Sequence, residues 1–462
     1  MTPPSPIDIN RPERLYFMGI GGIGMSALAQ FFLEKGFSIG GYDRTPSGRT
    51  DMLATLGIPI DFEENAFRPA DWQRVIYTPA VGETFSPLQA ARNAHMPVQK
   101  RAEVLGDLSR SYRCIAVAGT HGKTSTSGLI AHLLKAAGQD SVAFIGGILS
   151  NYNSNYLAGK GQWMVVEADE YDRSFRWLQP EIAVLTSTEP DHLDIYGTPE
   201  ALRESFGAFA GQIKPGGLLL QHEAAQPLLA KRIDCRVRTY GLDVGEISAR
   251  NINISGATTR FDYTTPSEEI EGLAMTFPGR HNLQNALAAV AVTKELGLDN
   301  EQIKQGLTTF EGIYRRFQVH INTPRLLFID DYAHHPTELA AAIEAARSLA
   351  PENRLVVCFQ PHLYSRTRDF ATGFAQALNA ADAVYLMHIY PARELSIPHV
   401  TANLVFQQVR TPYKQLINLN QFVAELPRAV RFPCTVLTLG AGDIETIVPA
   451  VNQQLNQLLD RN

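Results

Sequence analysis

Cysteine is scarce in this sequence. The four present, Cys114, Cys235, Cys358 and Cys434, lie far apart among 462 residues, and no two of them form a C-x-x-C pair. That spacing gives no basis for a zinc cluster or a redox motif. Because three of the four stand in apolar, strand-like runs, we expect buried thiols in a reducing cytoplasm rather than disulfides.

Long apolar runs and an excess of basic charge are also lacking. No uninterrupted apolar stretch approaches the roughly 18–20 residues that cross a membrane. The opening MTPPSPIDINRPERL contains no apolar core of a secretory signal, so we expect none. The 41 lysines and arginines are outnumbered by 47 acidic residues, which gives a net charge of −6. We therefore expect neither a membrane nor a nucleic acid as partner.

The length and the alternation of elements indicate several α/β domains. A chain of 462 residues exceeds one ordinary core, and short β-rich runs alternate with helical patterns for most of its length. We predict three domains, at residues 1–108, 109–313 and 314–462. Within the second, the short strands and polar turns between about 217 and 278 predict an antiparallel annex. The sequence does not distinguish a monomer from a dimer.

The first glycine-rich loop follows a predicted strand and opens a predicted helix. In LYFMGIGGIGMSALAQ the G-x-G-x-x-G spacing is formed by Gly19, Gly21 and Gly24, with Gly22 and Ile23 between them. Such a loop directs backbone N–H groups at a diphosphate. The next predicted strand, FSIGGYD, ends at Asp43, and we include Asp43 among the candidate residues of this binding site. Taken alone, this stretch favours a nicotinamide or flavin enzyme.

A second glycine-rich loop, GTHGKTSTS, follows the apolar run CIAVA. Its lysine is suited to neutralise the β- and γ-phosphates of a nucleotide, and the following hydroxyl is suited to ligate Mg²⁺. The usual G-x-x-x-x-G-K-[ST] motif requires glycine at 117, where this chain has Val117, so the loop is a shorter variant. Lysine at a helix start opposes the helix dipole, and we expect an anion beside it. The candidate phosphate-binding residues are Gly119, Thr120, His121, Gly122, Lys123, Thr124 and Ser125.

Two acidic clusters follow apolar strands of the second domain. The first contains Glu167, Asp169, Glu170 and Asp172; the second contains Glu189, Asp191, His192 and Asp194. Ligands of α/β folds bind at the carboxyl ends of strands, and Mg²⁺ accepts one or two carboxylates there. The DHLD stretch is equally typical of a metallophosphatase. A nearby phosphate-binding loop favours Mg²⁺ binding over ordinary surface polarity.

The third domain offers cations and histidines in DDYAHHPTE and FQPHLYSRTRDF. Arg366 and Arg368 are suited to bind a carboxylate or a phosphate, although a solvated helix start explains Arg368 equally well. The adjacent side chains of His334 and His335 diverge, and no third ligand is evident. We therefore do not predict a zinc site there.

Eight blocks, spread in order over all three domains, resemble the Mur ligases. They are GIGGIGMS, AVAGTHGKTSTS, EADEYDRSF, DHLDIYG, GRHNLQNALAA, YRRF, DDYAHHPTE and QPHLYSRTRDF. The resemblance implies the three-domain Mur ligase architecture: a Rossmann-like N-terminal domain, a P-loop ATPase-like central domain and a Rossmann-like C-terminal domain. In that family the first loop holds the diphosphate of a UDP-sugar rather than that of NAD.

The resemblance also implies a reaction. ATP would phosphorylate the lactyl carboxylate of UDP-N-acetylmuramate, and L-alanine would attack the acyl phosphate, in the cytoplasmic synthesis of peptidoglycan precursors. Two Mg²⁺ ions are implied. By resemblance, Lys123 acts on the transferred phosphoryl group, Thr124 and Glu167 serve metal sites, and His192 binds the second ion. The nucleotide would also contact His281, Asn282, Asn285, Arg316 and Asp331, and the amino-acid pocket would contain Tyr332, His334 and Arg366.

Leu363 departs from the family pattern, since many members that add alanine have arginine there. Either the acceptor carboxylate depends more on Arg366, or the acceptor differs. One alternative is therefore the recycling ligase that adds a tripeptide to the same UDP-sugar. An NAD- or UDP-sugar-dependent oxidoreductase would leave GTHGKT and the third domain unexplained, and a non-catalytic nucleotide-binding module would leave the polar blocks without a role.

Overall fold

The structure, a computed structural model, describes residues 4–191, 193–225, 233–256, 258–392 and 394–461. The chain separates into two compact units. The first contains residues up to 250 together with 263–270 and 285–310. The second contains residues 251–262, 271–284 and 311–462.

The first unit opens with a five-stranded parallel sheet, in the order β3-β2-β1-β4-β5. Its elements are β1 (Arg14–Met18), α1 (Ile23–Glu34), β2 (Ser38–Tyr42), α2 (Gly48–Thr55), β3 (Ile60–Asp61), β4 (Arg74–Tyr77), α3 (Ser86–Asn93), β5 (Val98–Lys100) and α4 (Arg101–Ser111). The order reverses beside β1, so the loop after β1 lies at the switch point where such sheets bind ligands.

A seven-stranded sheet follows, in the order β12-β11-β10-β6-β9-β7-β8. Its elements are β6 (Arg113–Ala118), α5 (Lys123–Ala136), β7 (Val142–Leu149), β8 (Ser154–Leu157), β9 (Trp163–Glu167), β10 (Ile182–Leu185), α6 (Leu193–Tyr196), α7 (Pro199–Ala210), β11 (Leu218–His222) and β12 (Arg236–Tyr240). Strand β8 pairs antiparallel with β7, and the other pairs are parallel.

The predicted antiparallel annex was wrong in its first part. Strands β11 and β12 extend the central sheet in parallel, with Leu218 opposite both Ile182 and Arg236. The first residues of β11 are apolar and buried, as expected for a parallel strand covered on both faces. Strand β12 lies at the sheet edge and is half exposed, which explains its polar sequence.

Three further strands and two helices complete the central region. Strands β13 (Ser248–Ser255), β14 (Thr258–Thr264) and β15 (Glu269–Met275) form a small sheet in chain order, and helices α8 (Arg280–Glu295) and α9 (Asn300–Thr309) follow. Residues 285–293 of α8 are buried on every side of the helix, so its polar groups there need partners inside the protein.

The second unit contains a six-stranded sheet, in the order β16-β17-β21-β18-β19-β20. Strand β16 is antiparallel to β17, and the remaining pairs are parallel. The elements are β16 (Gln318–Asn322), β17 (Leu326–Asp331), α10 (Pro336–Leu349), β18 (Arg354–Phe359), α11 (Tyr364–Leu378), β19 (Ala383–Met387), α12 (Asn403–Phe406), β20 (Tyr413–Ile417), α13 (Leu419–Ala429), β21 (Cys434–Leu439) and α14 (Val448–Arg461). The two edge strands, β16 and β20, were not predicted.

Helix α1 joins the first and central sheets into one hydrophobic core. The ring centroid of Phe31 lies 5.5 Å from that of Phe144 and 6.4 Å from that of Tyr156, and one buried cluster includes residues from both sheets. The two glycine loops therefore belong to one packed body. Among the described helices, none combines the length and apolarity needed to cross a membrane.

Candidate active site

The second glycine loop connects β6 to α5, which begins at Lys123 as predicted. Gly119 and Gly122 have φ angles of +133° and +80°, a region that favours glycine. A Cβ on Gly122 would lie 2.6 Å from the Asn285 side-chain oxygen, and one on Gly119 would collide with Thr186. Both glycines are therefore required for the backbone to form this loop.

Lys123 is held over the loop by oxygen atoms. Its ammonium donates to the carbonyls of Gly119 at 2.6 Å and Thr120 at 3.2 Å, and it lies 2.9 Å from a carboxylate oxygen of Glu170. Burial raises the pKa of Glu170 to about 7. Burial alone would lower the pKa of Lys123, but neighbouring carboxylates, Glu170 first, raise it above its usual value. The lysine is therefore a cation at neutral pH.

The first acidic cluster separates into distinct contacts. Glu167 accepts a hydrogen bond from the Gly146 N–H at 2.8 Å, and Glu170 pairs with Lys123. Asp172 pairs with Lys100 at 3.1 Å. Glu167 and Asp169 line a common cavity, so they are the two carboxylates of this cluster available to a ligand there.

The second acidic cluster begins against the phosphate-binding loop. A carboxylate oxygen of Glu189 lies 3.3 Å from His121 Nε2, and the Glu189 carbonyl accepts from the Thr120 hydroxyl at 2.7 Å. Asp191 is buried. His192 and the side chain of Asp194 lie outside the described residues. The Tyr196 hydroxyl donates to the Glu170 carbonyl at 2.6 Å, which ties the two clusters together.

The first glycine loop follows β1 and leads into α1. Gly19 has a φ of +82°. Asp43 accepts a hydrogen bond from the Gly21 N–H at 2.8 Å, and the Arg49 guanidinium donates to the Gly21 carbonyl at 2.6 Å. Asp43 and Arg49 therefore hold the loop in shape. Gly22 caps α1 without a side chain, which leaves the helix start open to an anion.

A cavity of about 340 Å³ connects the first loop to the acidic cluster. The start of α1, from Gly22 to Met25, forms one wall; Thr78 and Arg101 contribute another; Gly146, Glu167 and Asp169 line the central side. The cavity thus joins the open start of α1 to carboxylates beside the second loop.

Arg101 is a site residue that sequence analysis missed. A Cβ on Gly24 would collide with its guanidinium, so the cation lies against the first turn of α1. In the part of the chain that the structure describes, no carboxylate forms an ion pair with Arg101. Its place at the carboxyl end of β5, on the same sheet edge as the glycine loop, was the available signal.

In the second unit, the predicted acceptor residues form a chain of contacts. The Tyr332 and His334 rings lie 5.4 Å apart, and the His334 ring lies 6.0 Å from that of His362. The Arg366 guanidinium is 3.5 Å from His362 Nδ1. His362, quoted in the matching block but given no role, therefore connects the three predicted residues.

The environments of the two candidate arginines differ. Arg366 is buried, with 6% of its surface exposed, whereas Arg368 is an exposed side chain paired with its neighbour Asp369.

Leu363, the residue that departs from the family pattern, is buried and caps α11 with a φ of +67°. A non-glycine residue in that region is strained, and strain of this kind concentrates at functional sites.

The residues expected near the nucleotide are divided between the units. In the second unit, Asp331 accepts from the N–H groups of Phe317 and Ala333 at 2.6 and 2.7 Å, and burial raises its pKa to about 7. Burial lowers the pKa of His281 to about 4, so this ring is neutral at pH 7. Three more of the expected nucleotide residues have polar partners. Also in the second unit, the Arg316 guanidinium lies 3.9 Å from the Glu338 carboxylate, and the Asn282 amide donates to the Pro278 carbonyl at 2.7 Å. In the first unit, the Asn285 side-chain oxygen accepts from the Thr126 hydroxyl at 3.1 Å.

The residues at the second loop fit Mg²⁺. Thr124 offers a hydroxyl in the first turn of α5, and Glu167 offers a carboxylate fixed by the Gly146 N–H. Oxygen ligands of this kind are those Mg²⁺ prefers, usually with phosphate oxygens completing the shell. Glu170 is bonded to Lys123 and is the less suitable ligand.

Three sequence models of one family match the chain. The model of the Mur ligase family catalytic domain matches residues 14–113, that of the Mur ligase middle domain matches 117–293, and that of the Mur ligase glutamate ligase domain matches 315–442. The resemblance expected from the eight blocks is confirmed.

Individual relatives extend over the same length. The UDP-N-acetylmuramate–L-alanine ligase of Parabacteroides distasonis is 44% identical over 459 residues, covering 97% of this chain and 98% of its own. The solved UDP-N-acetylmuramate–alanine ligase of Thermotoga maritima has a TM-score of 0.79 at 27% identity, covering 97% of this chain and all of its own. A murein peptide ligase from Psychrobacter arcticus shares the fold, with a TM-score of 0.69 at 21% identity over 96% of this chain and 98% of its own.

Proposed function

The chain belongs to the Mur ligase family, and we propose that it joins L-alanine to the lactyl carboxylate of UDP-N-acetylmuramate while ATP is converted to ADP and phosphate. The observation that carries this proposal is a cavity of about 340 Å³ that is lined by both the start of α1 and Glu167. A sugar diphosphate held at one wall would extend its carboxylate toward the other. Full-length relatives that bear the name of the alanine-adding ligase support the acceptor.

The first step is phosphoryl transfer. A carboxylate oxygen of the sugar's lactyl group attacks the γ-phosphorus, the bond to the bridging oxygen of ADP breaks, and an acyl phosphate forms. Backbone N–H groups from Gly119 to Ser125 bind the phosphates, and Lys123 neutralises the negative charge of the γ-phosphoryl group while it is transferred. Fixed charges of this kind are the main source of catalysis in phosphoryl transfer.

Magnesium supplies further charge neutralisation when bound, and two ions are proposed. Thr124 and Glu167 would hold the first, and by family resemblance His192 would serve the second. The Gly146 N–H fixes one oxygen of Glu167, so the carboxylate is oriented before any ligand arrives. Pre-orientation of this kind avoids reorganisation during the reaction.

The second step is attack by the amine of L-alanine. The nitrogen of the neutral amine adds to the acyl carbon and releases a proton, the tetrahedral intermediate collapses, and phosphate leaves with the oxygen through which it was attached. We propose that Arg366 binds the acceptor carboxylate, with Tyr332 and His334 beside it. Arginine offers the bidentate geometry that a carboxylate needs, and His362 lies against its guanidinium.

The nucleotide's remaining contacts are proposed from both units. Asn285 stands against Gly122 of the phosphate-binding loop, while His281, Asn282, Arg316 and Asp331 belong to the second unit. We propose that these five residues contact the ATP nucleotide. The predicted division at 1–108, 109–313 and 314–462 then assigns one substrate principally to each domain.

Two other proposals concern the first loop and the compartment. The loop binds the diphosphate of the UDP-sugar through Gly19, Gly21, Gly22, Ile23 and Gly24, and Asp43 supports the loop.

Because ATP and a UDP-sugar are the substrates and the four cysteines are free thiols, we propose that the enzyme works in the cytoplasm. Ligase chemistry leaves no role for the nicotinamide that the first loop alone would favour.

Phosphate release tests the proposal. Purified protein is given ATP, Mg²⁺ and UDP-N-acetylmuramate, with L-alanine, glycine, L-serine or the tripeptide as acceptor. We expect release that depends on the UDP-sugar and is fastest with L-alanine. A preference for tripeptide would assign the chain to the recycling ligases, and release without any UDP-sugar requirement would contradict the proposal.

A further inference from the structure

A buried asparagine lies between the start of α1 and strand β7 in the first unit. Asn155 lies on β8 and is 4% exposed. Its side-chain nitrogen lies 2.6 Å from the carbonyl oxygen of Ile23, in the first turn of α1, and 3.4 Å from that of Ile145 on β7. Because carbonyl oxygens only accept hydrogen bonds, the NH₂ group of Asn155 and not its oxygen must face them.

The Ile145 carbonyl meets Asn155 because the β7–β8 pairing is irregular. Phe144 lies opposite Tyr156, but the next pair joins Leu149 to Ser154, so three extra residues of β7 bulge from the ladder. Asn155 stands opposite that bulge. An irregularity of this kind frees backbone groups from the sheet, and here the asparagine amide satisfies one of them.

The same bulge holds Glu167. The N–H of Gly146, the residue after Ile145, donates to the Glu167 carboxylate at 2.8 Å. A Cβ on Gly146 would collide with that carboxylate, so the close approach depends on glycine. A continuous chain of contacts therefore runs from the first turn of α1 through Asn155 and the bulge to Glu167.

We propose that Asn155 is a positioning residue that sets the separation between the diphosphate subsite at α1 and the metal carboxylate Glu167. The proposal rests on the function given above. The lactyl carboxylate reaches the γ-phosphate only if the sugar's diphosphate is anchored at the right distance from the second loop. A displacement near 1 Å can lower a reaction rate by roughly a hundredfold without any change in the reacting groups.

The neighbouring residue offers a matched control. The Tyr156 hydroxyl donates to Glu34 Oε2 at 2.6 Å, also between β8 and α1, but at the opposite end of the helix. Tyr156→Phe removes that contact and leaves the start of α1 untouched. Both substitutions weaken the packing of β8 on α1, and only one alters the proposed connection.

The test compares Asn155→Ala, Asn155→Asp and Tyr156→Phe with the wild type in the phosphate-release assay. Aspartate keeps the shape of asparagine but cannot donate to the two carbonyls at neutral pH. We expect both Asn155 variants to lower kcat by roughly tenfold or more, to raise the KM for the UDP-sugar, and to leave the KM for ATP unchanged. Tyr156→Phe should lower the melting temperature without changing kcat.

Hydrogen exchange gives a readout that does not depend on activity. Amides in residues 23–27 and 145–149 should exchange faster in Asn155→Ala than in Tyr156→Phe at equal global stability. Equal exchange in the two variants, or losses of kcat that only follow the melting temperature, would overturn the proposal. Turnover of the wild type in the same assay tests the proposed function separately, so the two failures are distinguishable.

Discussion

The ammonium of Lys123 and the carboxylate of Glu170 lie 2.9 Å apart, with side chains 13% and 1% exposed. Removing one partner of such a pair leaves a buried charge without compensation, which is more costly than the pair is worth. A variant of either residue can therefore lose activity through folding alone. The two roles of the lysine, in catalysis and in stability, have to be separated by experiment.

Lys123→Met should abolish ATP-dependent phosphate release, because the transferred group loses its nearest cation. Losses of this kind raise a barrier by about 3–4 kcal/mol. The double variant Lys123→Met/Glu170→Gln provides the control, since it also removes the buried carboxyl group that the single change leaves without its partner. We expect it to recover melting temperature and not turnover. Near-normal phosphate release from the folded double variant would contradict the assignment of the second loop.

Glu170 should make the protein less stable as pH rises from 4.5 to about 7. Burial raises the pKa of Glu170 from 4.5 to about 7 in the folded protein. In that window the folded state keeps a proton that the unfolded state has released, so the free energy of unfolding falls with increasing pH. Urea unfolding at a series of pH values should show that the free energy of unfolding declines less steeply with pH in Glu170→Gln than in the wild type.

Asp331 should also lower the free energy of unfolding as pH rises, since burial raises its pKa from 3.8 to about 7. The decline should therefore be reduced but not abolished in Glu170→Gln, and further reduced when Asp331→Asn is added. Unfolding free energies that decline equally in the wild type and Glu170→Gln would show that Glu170 is already ionised across this range.

Arg101→Ala should weaken binding of the UDP-sugar and leave the KM for ATP unchanged. A hydrogen bond to a charged group contributes about 1.5–3 kcal/mol. Because salt screens the attraction between Arg101 and the diphosphate, added salt should reduce the difference in UDP-sugar affinity between the variant and the wild type. Arg110→Ala is the matched control, because Arg110 lies on the same helix but pairs with Asp107. Calorimetry with UDP-N-acetylmuramate measures both. Equal affinities for Arg101→Ala and the wild type would remove Arg101 from the site.

The two glycine loops were predictable because their chemistry is local. Each is a strand, a short glycine-rich turn and a helix start in one continuous stretch, and the observed α5 begins at the predicted Lys123. Glycine spacing carries most of that information, since positive φ angles at Gly19 and Gly122 allow few alternatives. The fold class was confirmed for the same reason: alternating strands and helices determine an α/β architecture.

Features that depend on tertiary contact were missed. The stretch QKRAEVLG places Arg101 at a strand end but does not show that it reaches Gly24, because the two are brought together by parallel strands far apart in sequence. The parallel pairing of β11 was misread because polar turns surround a short apolar run. The positive φ of Leu363 is imposed by its surroundings, and a leucine gives no local signal for it.

The last prediction concerns selection of the acceptor by Arg366. Arg366→Ala should raise the KM for L-alanine with little change in that for ATP, because an α-carboxylate needs a fixed cation in a buried site. Arg366→Lys should also be costly, since lysine keeps the charge but not the bidentate geometry. Discrimination between alanine and glycine rests on one methyl group and should amount to about 1–3 kcal/mol.

Arg368→Ala is the matched control for Arg366. It stands two residues further along α11, carries the same charge, and is exposed and paired with Asp369 rather than buried. We expect its steady-state constants to equal those of the wild type, because solvent screens an exposed pair and its loss changes little. If Arg368→Ala raised the alanine KM while Arg366→Ala did not, the carboxylate would bind at the exposed face of α11, and the chain of contacts through His362 would not be the acceptor site.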